Sequence, residues 1–160
     1  MNKLKKYFYT AITIILFLSV YACDSNLVYT ESKNIDSKGW FKSDTLIFSP
    51  QVADISQPYN VYVWVRHTKD FENSNLWLKV ISEPTITKDS TFLVNLPIAD
   101  KTGKWLGDCS ASLCTQKYLL KENFMFESAE AFKVEVLQYM RAEELQEVKN
   151  VGLEIEKINN

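Results

Sequence analysis

Alternation of apolar and polar residues constrains this chain more than any other feature. In YNVYVWVRH, residues 59–67, Tyr59, Val61, Val63, Val65 and His67 share one side of an extended strand, and Asn60, Tyr62, Trp64 and Arg66 share the other. Successive side chains on a strand point to opposite faces, so this pattern gives one apolar face. The device recurs in SNLWLKVI (Leu76, Leu78, Val80), TFLVNL (Phe92, Val94, Leu96), FKVEV (Phe132, Val134, Val136) and VGLEIEK (Val151, Leu153, Ile155). Turn-forming residues separate the runs at Gln57-Pro58, Glu72-Asn73-Ser74-Asn75, Lys88-Asp89-Ser90 and Asp100-Lys101-Thr102-Gly103.

Short alternating strands divided in this way predict an all-β fold. The expected architecture is an antiparallel β-sandwich, with a jelly roll among its variants, whose two sheets bury one face each about 10 Å apart. Helical signal is confined to MRAEELQEVKN, residues 140–150, where long straight side chains predict one short helical turn near 140–147. Its Glu143, Glu144 and Glu147 read as a solvated face. The first strand is expected to enter near residues 27–30.

The start of the chain has a different character. Lys3, Lys5 and Lys6 precede an apolar stretch from Tyr7 to Leu18, and Ser19, Val20, Tyr21 and Ala22 lead to Cys23. That is the anatomy of an export signal. Counted with Val20 to Ala22, the apolar stretch is about 16 residues, near or below the roughly 17–25 needed to span a bilayer. Val20-Tyr21-Ala22-Cys23 resembles a bacterial lipobox, in which the cysteine thiol takes a diacylglyceryl group and cleavage frees its amine. The organisation read from this is a lipoprotein signal peptide over 1–22, a lipidated tether over 23–26 and one β-sandwich domain over 27–160. A plain signal peptide and an uncleaved anchor are the alternatives. At about 0.8 kcal/mol per buried methylene, two or three acyl chains on Cys23 make the membrane itself the first partner.

The formal net charge of the whole chain is −2. The signal takes three basic residues and no acidic one, which leaves −5 for the remainder. That balance argues against a nucleic-acid partner and against a polybasic grip on anionic lipid. Export leads to an oxidising compartment, so Cys109 and Cys114 in GDCSASLC are read as a disulfide, with two unpaired thiols as the alternative. Their spacing is not that of a Cys-x-x-Cys redox pair. Zinc would need further ligands, and the single histidine, His67, is distant in sequence.

No Gly-x-Ser-x-Gly, His-Glu-x-x-His or phosphate-cradling loop occurs, and His67 on an apolar strand face reads as structural. Paired carboxylates can act on glycosides without leaving a motif. Asp70, Asp100 and Asp108 fall in loops, where aspartate ordinarily caps turns. No catalytic residue, metal ligand or cofactor is assigned. Among the tryptophans, Trp105 after the Gly103 turn and Trp64 are the candidates for glycan or partner contact, and Trp77 is expected to pack inside.

Four stretches together resemble the GldH family of gliding-motility lipoproteins of the Bacteroidetes. They are the lipobox with Trp40, YNVYVWVRHTKDFENSNLWLKV at 59–80, LPIADKTGKWLGD at 96–108 and QYMRAEELQEVKNVGLEIEK at 138–157. The resemblance implies a non-catalytic accessory or scaffold lipoprotein of the outer membrane, facing the periplasm. Its implied partners are other gliding and secretion lipoproteins and envelope proteins. Asp24 after the cysteine makes the inner membrane the alternative location, since it retains lipoproteins there in some bacteria. The Cys109/Cys114 pair stands where the family usually has a Gly-rich turn, and His67 where a small polar residue is usual. A carbohydrate-binding module of the cell envelope is the alternative function.

Overall fold

The computed structural model describes residues 26–158. Cys23, the signal and most of the tether lie outside the described residues. The described chain forms β1 (Leu27–Asn34), β2 (Trp40–Phe41), β3 (Leu46–Phe48), β4 (Tyr59–Thr68), β5 (Asn75–Glu83), β6 (Thr91–Pro97), β7 (Asp108–Ser110), β8 (Leu113–Phe124), β9 (Lys133–Gln138), β10 (Glu144–Leu145) and β11 (Val148–Lys157). A five-stranded sheet runs β1-β11-β4-β8-β7 and a four-stranded sheet runs β3-β9-β5-β6, with a small β10-β2 pair beside them. Every ladder is antiparallel. The fold is therefore an all-β antiparallel sandwich.

Register explains the core. Val65, Val63 and Val61 of β4 lie opposite Val151, Leu153 and Ile155 of β11, and all six are fully buried. Facing them from the other sheet are Leu76, Leu78 and Val80 of β5, with Leu96 of β6 and Val134 and Val136 of β9, also fully buried. Each such side chain contributes on the order of 1.5–3 kcal/mol by leaving water. Trp40 and Leu145, opposed across the β10-β2 pair, plug the same core.

The helical turn expected near 140–147 is not formed; the segment carries the short strand β10 instead. Tertiary contacts override its helix propensity. The side chain of Gln138, almost fully buried, donates from Nε2 to the carbonyls of Ala142 and Glu143 and accepts at Oε1 from the Met140 amide. Those backbone groups are thus taken by a side chain, the competition that disfavours helix. Leu145 gains a buried place only by pairing with Trp40.

β8, the longest strand, carries no clean alternation. It pairs with β4 through two register irregularities, between Tyr59 and Val61 and between Val61 and Tyr62. Its inward residues Cys114, Gln116, Tyr118 and Leu120 keep one phase up to the bulge, beyond which Lys121 comes opposite Val61 and Phe124 opposite Tyr59. β1 has its own peculiarity. Glu31 and Lys33 lie opposite Leu153 and Val151, which puts two charged residues on the core side of an edge strand. They pair with each other, Tyr29 donates to Glu31, and the Lys33 ammonium lies 5.7 Å from the Phe48 ring centre. The Lys33 hydrogen bond, followed by that from Tyr29, holds the Glu31 carboxyl below its ordinary range.

Candidate interaction face

The sandwich presents two outer faces of unlike chemistry. On the five-stranded sheet, Lys117 sits between Glu154 at 2.5 Å and Glu156 at 2.6 Å, over the Tyr62 ring at 4.2 Å. Its charges neutralise one another across the intervening strand β4, as a solvated face does.

The outer face of the four-stranded sheet is apolar towards its Trp77 end, while Lys133 and Glu135 pair on it beside Ile47 and Ile81. Because Leu76, Leu78 and Val80 point inward, Trp77, Lys79 and Ile81 must point out. Lys79 lies between Leu93 and Leu137, and Trp77 lies opposite Asn95. Trp77 is 38% exposed, Leu93 49%, Ile47 45% and Tyr139 55%, which gathers four large apolar side chains on one face. A groove of about 700 Å³ runs from Leu93 across Trp77 to Tyr139 and Met140, and a second depression of about 620 Å³ continues to Leu137, Lys79 and Lys42.

Local hydrogen bonds build the groove wall. The Tyr139 amide donates to the Trp77 carbonyl at 2.7 Å, which carries the β9 ladder one residue beyond the strand. The Trp77 amide donates to the Met140 sulfur at 3.2 Å. Gln138 then gathers residues 140–143 around its amide, and the chain turns outward as a rim ending at Arg141. Among the described residues no carboxylate lines either depression, whereas Lys42, Lys79 and Arg141 do. Lys42 is 3.9 Å from Glu143, and among the described residues Lys79 and Arg141 form no ion pair.

The tryptophans singled out in the sequence lie elsewhere. Trp64 is only 9% exposed and lies against Gly152 of the neighbouring strand, with the Arg66 guanidinium 5.5 Å from its ring centre. Trp105 is half-buried, its ring edge-on to His67 at 5.0 Å. Neither shares a surface with the groove. Trp77, expected inside, is the exposed one. The alternation already carried that signal, since Trp77 is out of phase with Leu76 and Leu78. Arg141 lies in the stretch read as helix, and Tyr139 directly precedes it.

His67 is fully buried between Phe71 and Trp105; its Nδ1 bonds the Thr68 carbonyl at 2.7 Å, and Nε2 has no protein partner. Burial pushes its pKa below the usual imidazole value, only partly opposed by the bond to Thr68. Cys109 and Cys114 oppose each other across the β7–β8 hairpin and are bonded, with Cα atoms 4.0 Å apart; Ala111 turns the hairpin with φ 50°. Asp100 binds the amides of Thr102 and Lys104 and the Thr102 hydroxyl, a turn-capping role that lowers its pKa. Among the described residues no group of three or more metal-ligating side chains comes together.

Residues 27–155 match the family model of the GldH lipoprotein. A relative from Christiangramia forsetii, described as a gliding motility lipoprotein GldH homolog, is 32% identical over 92% of this chain and 93% of its own length. The gliding motility lipoprotein GldH of Flavobacterium johnsoniae is 24% identical over 92% and 96%. Among solved structures, the CBM35 from Cellvibrio japonicus Abf62 superposes with a TM-score of 0.37 at 10% identity, covering 86% of this chain and 94% of that one. The infectious bursal disease virus VP2 subviral particle gives 0.25 at 13%, covering 82% of this chain and 35% of that one. Neither superposition is close enough to carry an argument. The match over the whole described sandwich, with relatives similar from end to end, is decisive: the chain belongs to the GldH lipoprotein family.

Proposed function

We propose that this chain is a non-catalytic accessory component of the gliding-motility apparatus and the secretion machinery linked to it, held by acyl chains on Cys23 at the periplasmic face of the outer membrane. It works by contact. The observation that carries this reading is the groove at Trp77, Leu93 and Tyr139, an apolar surface with a cationic rim and, among the described residues, no carboxylate. Exposed apolar area of this kind marks an interaction site. Confinement to a membrane layer raises the effective concentration for partners held there. The names of the two relatives support the gliding assignment. Glycan binding is the second reading, favoured by the exposed Trp77 and Tyr139 rings on the same face.

The test is made in the native host. The full chain should take up an alkyne palmitate label and fractionate with membranes, Cys23→Ala should do neither, and a deletion strain should lose surface spreading or secretion. An unlabelled wild-type chain, or a deletion strain normal in both respects, would overturn the reading. Retention on an agarose gel of envelope polysaccharide, lost in Trp77→Ala, would replace it with the second.

A further inference from the structure

Among the described residues the two sheets of the sandwich have four free strand edges, and three are blunted. β1 turns Glu31 and Lys33 inward, β3 is three residues long, and β7 is three residues long and tied by a disulfide. Inward charge and short length are the ordinary protections of an edge. β6 has neither. Its sequence, TFLVNLP, is seven residues without a charge.

The direction of its free groups follows from the ladders. The Trp77 carbonyl accepts from Tyr139 on the β9 side, while the Ser74 carbonyl and the Ser82 amide bond towards the β6 side. Leu76, Leu78 and Val80 therefore bond Leu96, Val94 and Phe92. It follows that Thr91, Leu93 and Asn95 aim N–H and C=O away from the sheet, and none of the three has a backbone partner there among the described residues. Pro97 falls in the same phase, where its missing N–H costs nothing.

This edge borders the groove, since Leu93 belongs to both. We infer that β6 is a docking edge for an extended segment of a partner protein. The segment adds a fifth strand to the β3-β9-β5-β6 sheet, lays alternate apolar side chains over Leu93 towards Trp77, and carries carboxylates that meet Lys79 and Arg141. Main-chain bonds supply attachment and the pockets supply selection, as in other strand additions. Charge decides between occupants. A second copy pairing β6 to β6 would offer the uncharged TFLVNLP, which brings no carboxylate to Lys79 and Arg141, whereas an acidic segment matches them. The inference rests on the contact role proposed above, but its test is independent of lipidation and of motility.

The full-length lipoprotein in detergent micelles is panned against a display library of random ten-residue segments, and enriched segments are synthesised. The expected segments carry β-branched or aromatic residues and Asp or Glu together at i, i+2 positions of one face, the face that meets Leu93 and Lys79, and slow amide exchange at Leu93 and Asn95 at least tenfold. Leu93→Pro, which removes an outward N–H together with the Leu93 side chain, should weaken binding at least tenfold beyond Leu93→Ala, with circular dichroism unchanged. The double variant Lys79→Glu, Arg141→Glu should do the same and select basic segments instead. Failure of any segment to enrich over empty micelles, or binding without protection at Leu93 and Asn95, would overturn the inference. So would sedimentation showing a dimer that Leu93→Pro dissolves, or polygalacturonate binding lost in Trp77→Ala with no segment bound. Should Leu93→Pro unfold, exchange protection in the wild-type complex decides.

Discussion

Gly152→Ala tests how tightly the outer face of the five-stranded sheet is packed. A Cβ there would lie 2.1 Å from Cε2 and 2.2 Å from Cζ2 of Trp64, where ordinary contact begins at 3.4 Å. The indole must retreat by more than 1 Å, and with β-sheet beneath it the way out is into water. Lifting it re-exposes roughly half of the 150–250 Å² that a tryptophan buries, about 2.5 kcal/mol at ~25 cal/mol per Å². Loosening its contact with Arg66 adds about 0.5 kcal/mol. Alanine returns roughly 0.5–1 kcal/mol by restricting the unfolded chain. The net expectation is a destabilisation of about 2 kcal/mol, read from urea unfolding followed by far-ultraviolet circular dichroism. In a Trp64→Ala background the clash is gone, so Gly152→Ala should become neutral or stabilising by roughly 0.5–1 kcal/mol. A cost below about 0.5 kcal/mol with Trp64 present, or the same cost in both backgrounds, would refute the reasoning.

Two further outcomes concern stability. His67 is held neutral by burial, below its ordinary value of 6.5, so as pH falls through that value the unfolded chain takes the proton first. Stability should hold above about pH 6.5 and decline below it with a slope approaching ~1.4 kcal/mol per unit; His67→Phe should flatten the decline, and an equal slope in the variant would contradict the burial argument. Glu31, held low by Lys33, and Glu147, held low by the Thr68 hydroxyl, add their loss only below about pH 4.5, so the two windows separate. Replacing Cys109 by Ser and Cys114 by Ala should cost about 2 kcal/mol on the chain-entropy account of a short closed loop. The wild-type urea midpoint should drop with reductant while the variant's does not; a wild-type midpoint indifferent to reductant would refute it.

What could be read in the sequence follows from whether a strand's two faces differ. β4 pairs a run of valines with Tyr62, Trp64 and Arg66, and β11 sets Leu153 and Ile155 against Glu154 and Glu156, so both declare strand and facing at once. β8 places polar Gln116 among its inward residues and shifts register beyond Leu120, where Lys121 comes opposite Val61, so no clean apolar period runs its length. The 140–147 stretch misled because local propensity favoured helix, while Gln138 and Trp40, distant in sequence, claimed its carbonyls and its Leu145. The groove was half legible. Alternation puts Trp77 on the far face from Leu76, but no local pattern says that this face lacks a covering layer, or that Met140 and Arg141 fold back beside it.

β1 and β4 fix the posture of the molecule. Leu27 lies opposite Glu156, which lies opposite Asn60 at the start of β4; the ten residues of β4 then climb roughly 33 Å to the end from which β5 sets out. Cys23 precedes Leu27 by four residues, a leash of at most about 14 Å. Acyl chains at that cysteine would seat the Leu27 end among the headgroups and raise the Trp77 groove like the top of a short mast. A protein reaching it would come from the aqueous side at that height, with lipid too far below to compete.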